Sequence, residues 1–337
     1  MKIVLAALLA LPLAAAMGNT LAAAPAAIPS YKVTHSIAVG GEARWDYVAL
    51  DSAAHRLYVS HGTQTEVIDL QSEKVIGTIA DTEGVHGIAV ASDLGLGFTS
   101  NGKSNSITVF DLATLKTRNT IKVGIGPDAI VYAAAGSRVV TFNGRSKDAT
   151  VIDAKSGTVA GTVAIGGRPE YALAGRDGKV YLNVEDTGEL AVLDPVALKI
   201  GHRNSLKPCD GPSGLAMDSN ERLYSVCDNK MMIVSTGDGK RLAQVPIGAG
   251  PDGAVWLDGQ AFSANGADGT ITVAGEDASG QFQVQATIPT APGARTIAAD
   301  PVTHRLYLPV ADYKPAQAGE RRQGIPGTFR ILVLERQ

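Results

Sequence analysis

The sequence predicts an all-β chain folded as a seven-bladed β-propeller. Three features carry that prediction: a strand meander that recurs seven times, a strand motif ending in aspartate in the first four copies, and an early segment that duplicates an outer strand.

The clearest copy of the meander is residues 165–194, IGGRPEYALAGRDGKVYLNVEDTGELAVLD. A Gly-rich turn ends on Pro169, a short apolar run follows Glu170 and Tyr171, and a polar turn leads to a Val-Tyr-Leu strand. A second turn then leads to a third strand ending at Asp194. Each run is too short for a helix and is bounded by Gly, Asp or Asn, the punctuation of strands.

Aligning the copies on the residue after the Gly/Pro turn gives Asp46, His86, Asp128, Glu170, Ser213, Asp252 and Arg295, at steps of about 39 to 43 residues. The aspartate-ended strand recurs as Val-Ile-Asp at Asp69, Val-Phe-Asp at Asp111, Val-Ile-Asp at Asp153 and Val-Leu-Asp at Asp194, and the motif then decays. One four-stranded sheet of this length cannot bury both its faces, so the copies must stack around an axis.

Residues 32–38 resemble residues 74–80, the outermost strand of the first full copy, yet they precede it. The chain also stops soon after the third strand of the seventh copy, at Leu334. The early segment is therefore expected to supply the missing outer strand of the last blade by pairing with residues 329–334, removing a free edge.

The first 24 residues read as a signal peptide: Lys2, an apolar run over residues 3–17, and small residues at 21–24. Residues 25–337 then form one propeller domain, expected in the periplasm or secreted, and as a monomer. A retained membrane anchor is the competing reading, but the apolar run is short for a span and no basic cluster follows it. No later stretch is long and apolar enough to cross a membrane.

The formal charge is −3, with both signs scattered through the turns. No basic block is present to attract phosphate backbones, so generic nucleic-acid affinity is disfavoured, and a DNA-binding propeller would need a local basic face. Residues 97–104, GFTSNGKS, match the P-loop expression, and residues 248–253, GAGPDG, spell G-x-G-x-x-G. Both phosphate motifs need a helix after the loop, and strand-like runs follow instead. Cys209 and Cys227, an even pair in an oxidising compartment, are expected to form a disulfide, against the alternative of two buried thiols.

In a propeller the innermost strand of each blade lines the central channel, so the seven aligned residues form a ring at one channel mouth. Converging carboxylates repel, which raises some of their pKa values unless His86, Arg295 or a bound cation compensates. Ca²⁺ or Mg²⁺ is the ion such oxygens would take. The plain alternative is that each polar residue caps its strand and hydrates a channel. His61, Asn101, Asn143 and Asn265 occupy equivalent turns after the second strand and are expected to form an outer circle on the same face. Trp45 and Arg168 flank the inner ring as candidates for an organic anion. Residues 311–327, polar and rich in Pro and Gly, form a long loop on that face, where Arg321 and Arg322 would meet an acidic partner.

These copies resemble the YVTN-repeat, YncE-like seven-bladed propellers of secreted bacterial proteins. The residues that carry the resemblance are Tyr58-Val59-Ser60-His61, Phe98-Thr99-Ser100-Asn101 and Val139-Val140-Thr141-Phe142-Asn143, with the G-x-x-P turns before Asp128 and Asp252. The resemblance covers residue 31 to the C-terminus and implies a binding scaffold. Lactonases and lyases occur in the wider seven-bladed class. No nucleophile elbow, zinc-protease or haem-attachment signature is present. The first functional expectation is thus a scaffold that binds a small ligand or periplasmic protein at the channel mouth. A metal-dependent lactonase or lyase using Asp128, Glu170, Asp252 and His86 is the second, and DNA binding the third.

Overall fold

The computed structural model describes residues 30–315 and 323–337. Its 28 strands form seven four-stranded antiparallel sheets, each a blade of the ring. Six blades use consecutive strands, and the innermost strands are Val48–Asp51, Val85–Ala91, Pro127–Ala133, Pro169–Ala174, Leu215–Met217 and Pro251–Leu257. The seventh runs Ala298–Asp300, Arg305–Val310 and Arg330–Arg336, and its outer strand is Tyr31–Ala38 from the start of the chain. Ile37 pairs with Ile331 and Val33 with Leu334, so the ring closes through backbone hydrogen bonds between its two ends.

The meander alternates strand and tight turn because each apolar run is six or so residues and ends on a residue that tolerates left-handed backbone. His55, Asn105, Lys147 and His304 adopt positive φ in such turns. The terminal aspartates act locally: Asp111 accepts from the backbone N–H of Thr114 at 2.8 Å, and Asp194 from that of Ala197 at 2.8 Å. Strands two and three of each blade are buried on both faces, with Leu57, Phe98, Val140, Leu182, Leu223, Phe262 and Leu306 all within 0% exposure. The core is thus a circle of apolar layers between blades rather than one centre.

Among the described residues helix is confined to two single 3₁₀ turns, Ser92–Leu94 and Ala134–Gly136. Both phosphate-motif matches are therefore strand and turn: Leu96–Asn101 leads into Ser106–Asp111, and the strand Pro251–Leu257 begins within the second match. No described helix is long and apolar enough to cross a membrane. Cys209 and Cys227 are joined as a disulfide, which ties the link into the fifth blade to the end of its second strand. The first 24 residues, read above as a signal peptide, and Arg321 and Arg322 lie outside the described residues. The flanks of the long loop are described: Tyr313 bridges Gly324, and Lys314 N–H donates to Gln323 O at 2.9 Å.

Candidate functional site

Backbone geometry divides the seven aligned residues into two groups. His86, Asp128, Glu170 and Asp252 are the second residues of their inner strands and lie within the bulge that interrupts pairing with the next strand. Asp46, Ser213 and Arg295 precede their shorter inner strands and are held by hydrogen bonds outside the strand ladder instead. Asp46 N–H donates to Ser60 Oγ at 2.7 Å, and Thr296 Oγ1 donates to Asp46 O at 2.6 Å.

Together they shape a cavity of about 640 Å³ lined by Asp46, His86, Asp128, Glu170 and Arg295, with Trp45, Arg168, Arg44, Lys103 and Arg145 around them. Ser213 and Asp252 stand at equivalent positions without lining it. Ser213 Oγ donates to Pro251 O at 2.9 Å, and Asp252 lies behind Arg295. Below the cavity the rings of Tyr47 and Tyr171, from the first and fourth blades, meet edge-on at 5.3 Å. Beyond them the channel is apolar, about 350 Å³ lined by residues such as Val48, Ala89, Val131 and Leu173.

Charge is unevenly matched at the cavity floor. His86 Nδ1 lies 2.5 Å from Asp46 Oδ2 and 3.7 Å from Asp128 Oδ1. Arg295 Nε donates to Asp252 Oδ2 at 2.7 Å, while its Nη2 reaches Trp45 O at 3.0 Å and Asp46 Oδ1 at 3.5 Å. The guanidinium also sits 5.6 Å from the Trp45 ring centroid. Asp46 and Asp252 thereby acquire fixed cations. Asp128 has only the longer contact to the same His86, at 3.7 Å, and its buried Oδ1 has no hydrogen-bond donor. Glu170 has neither an ion pair nor a hydrogen bond to its side chain among the described residues.

The proton affinities follow from that imbalance. Burial, with the neighbouring Asp46 and Asp252, pushes Asp128 up to about 7 against the pull of His86. Burial and the carboxylates of Asp128, Asp252 and Asp46 push Glu170 to about 8. Burial raises Asp252 to about 6, with Arg295 opposing it. His86 would be lowered by burial, but the hydrogen bond to Asp46 and the charge of Asp128 reverse this and raise it to about 9. Tyr47 is raised well above 10, by burial first and then by Asp128 and Glu170. At neutral pH the floor thus holds an imidazolium and carboxyl groups that are partly protonated. Asp46, His86 and Asp128 each bring one donor atom within 4.8 Å of the others, a spacing that one metal ion could bridge.

The expected outer circle does not face a ligand. Asn101, Asn143 and Asn265 are wholly buried, and their side chains are used within their own blades. Each Nδ2 donates to a threonine Oγ1 one strand over, Thr108 at 2.9 Å, Thr150 at 3.0 Å and Thr272 at 2.9 Å. His61 is 5% exposed between Glu66 at 3.0 Å and the Glu42 carbonyl at 2.6 Å, and its ring packs on Phe329. The physical reason is that a polar side chain at the end of a doubly buried strand points between blades, where hydrogen bonds must be made internally. Trp45 is likewise packed, 5.3 Å from Phe329 and 7% exposed. Arg168 lines the cavity while ion-paired to Glu185.

Lys103 and Arg145 were absent from the sequence-based candidates. They occupy the same turn position, each following an Asn-Gly pair at residues 101–102 and 143–144. Their stems lie over Gly84 and Gly126, where a Cβ would come within 2.7 Å of Lys103 Cγ and 3.0 Å of Arg145 Cγ. Both glycines have φ of +66°, so the backbone also favours glycine there.

No protein-family model matches the chain, and no curated protein matches it either. Solved structures match in fold. The WD40 repeats of RRP9 superpose with a TM-score of 0.77 at 9% identity, covering 91% of this chain and 100% of that one. Streptogramin B lyase gives 0.73 at 12%, covering 91% and 98%. Hydrazine synthase of Kuenenia stuttgartiensis gives 0.69 at 15%, covering 79% and 92%. At such identities the likeness is one of fold, and it establishes the seven-bladed propeller rather than an activity.

Proposed function

We propose that this chain is a secreted or periplasmic propeller of the YncE-like kind that binds a small ligand at the polar channel mouth. One observation carries the reading: Glu170 faces a 640 Å³ cavity with no ion pair or hydrogen bond among the described residues, and Asp128 beside it has a buried oxygen without a donor and only a 3.7 Å contact to His86, whereas Asp46 and Asp252 are hydrogen-bonded to cations. A purely structural ring would pair its buried carboxyls, because leaving them unpaired costs stability. Binding is the function that offsets that cost. The leader-like first residues support export, and processing at residues 21–24 is checked by N-terminal sequencing of protein recovered from the periplasm.

The test of the binding reading is ligand capture. Protein isolated under native conditions is denatured, and the released small molecules are identified by mass spectrometry beside those from the Asp128→Asn/Glu170→Gln double variant. A compound enriched on the parent, lost from the variant and able to raise the melting temperature on re-addition supports the reading. Its absence, with both proteins folded, removes it.

A metal-dependent lactonase or lyase is the second reading, favoured by the three converging donors Asp46, His86 and Asp128. Such an ion would supply Lewis-acid polarisation of a bound carbonyl, with His86 free to move a proton once its hold on Asp46 is released. Melting with Mg²⁺, Ca²⁺ and EDTA separates the two. A rise of several degrees with a divalent ion, abolished by Asp128→Asn, favours the metal, and no shift discards it.

A further inference from the structure

Groups of both kinds stand at the mouth without a hydrogen-bonded partner, carboxyl groups on the floor and cations on the more exposed rim. On the floor stand Asp128 and Glu170, at equivalent positions of the third and fourth blades. On the rim stand Lys103 and Arg145, from the second and third blades, and among the described residues neither side chain has an ion pair or a hydrogen bond. Their stems rest on Gly84 and Gly126, each two residues before His86 or Asp128, so the rim cations rise directly beside the floor. The equivalent turn of the sixth blade carries Ala267 instead, over Gly250. Arg44, on the link into the first blade, also lines the mouth without an ion pair among the described residues, so the rim cations come from the first three blades and the carboxyl groups beside them from the third and fourth.

Rim and floor do not neutralise one another, although the long Lys and Arg stems would allow them to bend inward. Their arrangement leaves carboxyl groups at depth, partly protonated at neutral pH and ionised when a cation docks beside them, and cations at the lip. An anion alone meets the lip cations and leaves the carboxyl groups below unused, and an ammonium alone does the reverse. A divalent ion fits the floor less well than an ammonium. Asp46 is already engaged by His86 and Arg295, which leaves few free oxygens for a coordination shell of six.

We propose that the mouth recognises a zwitterion: an organic cation of the ammonium type docks between Asp128 and Glu170, and a carboxylate on the same molecule reaches Lys103 and Arg145. The proposal rests on the small-ligand reading above and gives that ligand its chemical class. An amino acid, a short peptide or an ω-amino acid has this form. Specificity then comes from the spacing of the two charges, since only a molecule that spans slot and lip engages both.

The test uses calorimetric titration of the purified protein at low salt with 4-aminobutanoate, 6-aminohexanoate and 8-aminooctanoate, and with hexanoate and hexylamine as matched halves. The expected result is that one length of the amino-acid series binds at least tenfold tighter than either half. Lys103→Gln/Arg145→Gln should remove that advantage while hexylamine binding persists, and Glu170→Gln should remove the amine contribution. Circular dichroism confirms that each variant is folded, and Glu170→Asp, which keeps the charge, should retain part of the affinity. Equal affinity for zwitterion and halves would overturn the class while leaving mouth binding intact. Tightening that requires added Mg²⁺ or Ca²⁺ would assign the floor to a metal and overturn it too. If no probe binds but the captured ligand does, the zwitterion is wrong and the small-ligand reading stands; if neither binds, both fall.

Discussion

Arg295 joins three blades through one side chain, and its firmest contact is the hydrogen bond from Nε to Asp252 Oδ2 at 2.7 Å. Asp252 belongs to the sixth blade, Arg295 to the link into the seventh, and Asp46 and the Trp45 carbonyl to the first. The contact thus spans the place where the ring is closed. Arg295→Met is expected to cost about 2 kcal/mol in urea unfolding, the range for a hydrogen bond to a charged group whose partner is left buried. It should also raise Asp252 above its value of about 6, since Arg295 is what opposes the effect of burial. Adding Asp252→Asn to that variant should recover part of the loss, and a double-mutant cycle measures the pair.

The floor makes stability fall with rising pH. Asp128 and Glu170 bind protons on folding, because their folded values of about 7 and 8 lie above the ordinary 3.8 and 4.5. The native chain then holds more protons than the unfolded one from about pH 4 to pH 8, and across that window ionisation destabilises it. His86 acts in the same direction: its contribution is full below pH 6.5 and is lost as pH passes about 9. The melting temperature should therefore drop by about 3 °C or more between pH 6 and pH 9, with a shallower slope in Glu170→Gln. Differential scanning calorimetry across that range checks it, and a rising profile would contradict the assignment.

The disulfide at Cys209 and Cys227 closes a loop of sequence separation 18 in the fifth blade, whose inner strand has only three residues. Replacing both cysteines with serine is expected to cost about 3 kcal/mol in the chain-entropy account. Unfolding of the parent with and without reductant gives the same comparison without a mutation.

Ring closure depends on the strand Tyr31–Ala38. Ile37, 3% exposed in the layer between the first and last blades, should cost about 2–4 kcal/mol when changed to Ala. Removing residues 1–39 should expose the edge of Arg330–Arg336 and produce self-association, seen as higher-mass species in size-exclusion chromatography.

Asn143 provides a contrast with Glu170. Asn143→Ala should lower stability by about 1–3 kcal/mol, because Thr150 and Asp148 lose a buried partner. It should leave ligand affinity unchanged, as the side chain never reaches the cavity. Melting and titration on the same sample distinguish the two effects.

The repeat made most of the architecture readable in advance, including the strand that closes the ring, because both are written as local pattern. At the site, position was readable and role was not. Asp46, His86, Asp128, Glu170 and Arg295 were aligned correctly around one cavity. Asn101 and Asn143 carry the same turn chemistry as a ligand-facing residue would, and only burial reveals that they serve their own blades. Lys103 and Arg145 carried a signal, a shared place after Asn-Gly, but in the other copies that place holds Thr63, Asp186 and Ala267, so periodicity alone does not single it out.

By itself the sequence determined the period, the strands and the face on which the polar residues gather, since alternation and turn preference act between neighbours a few residues apart. The tertiary structure decided which of those residues are neutralised. Arg295 reaches Asp252 and Asp46 across 43 and 249 positions of chain. Glu170 has no such partner among the described residues and Asp128 only His86 at 3.7 Å, and Coulomb energy depends on distances in space that exist only once the ring has closed.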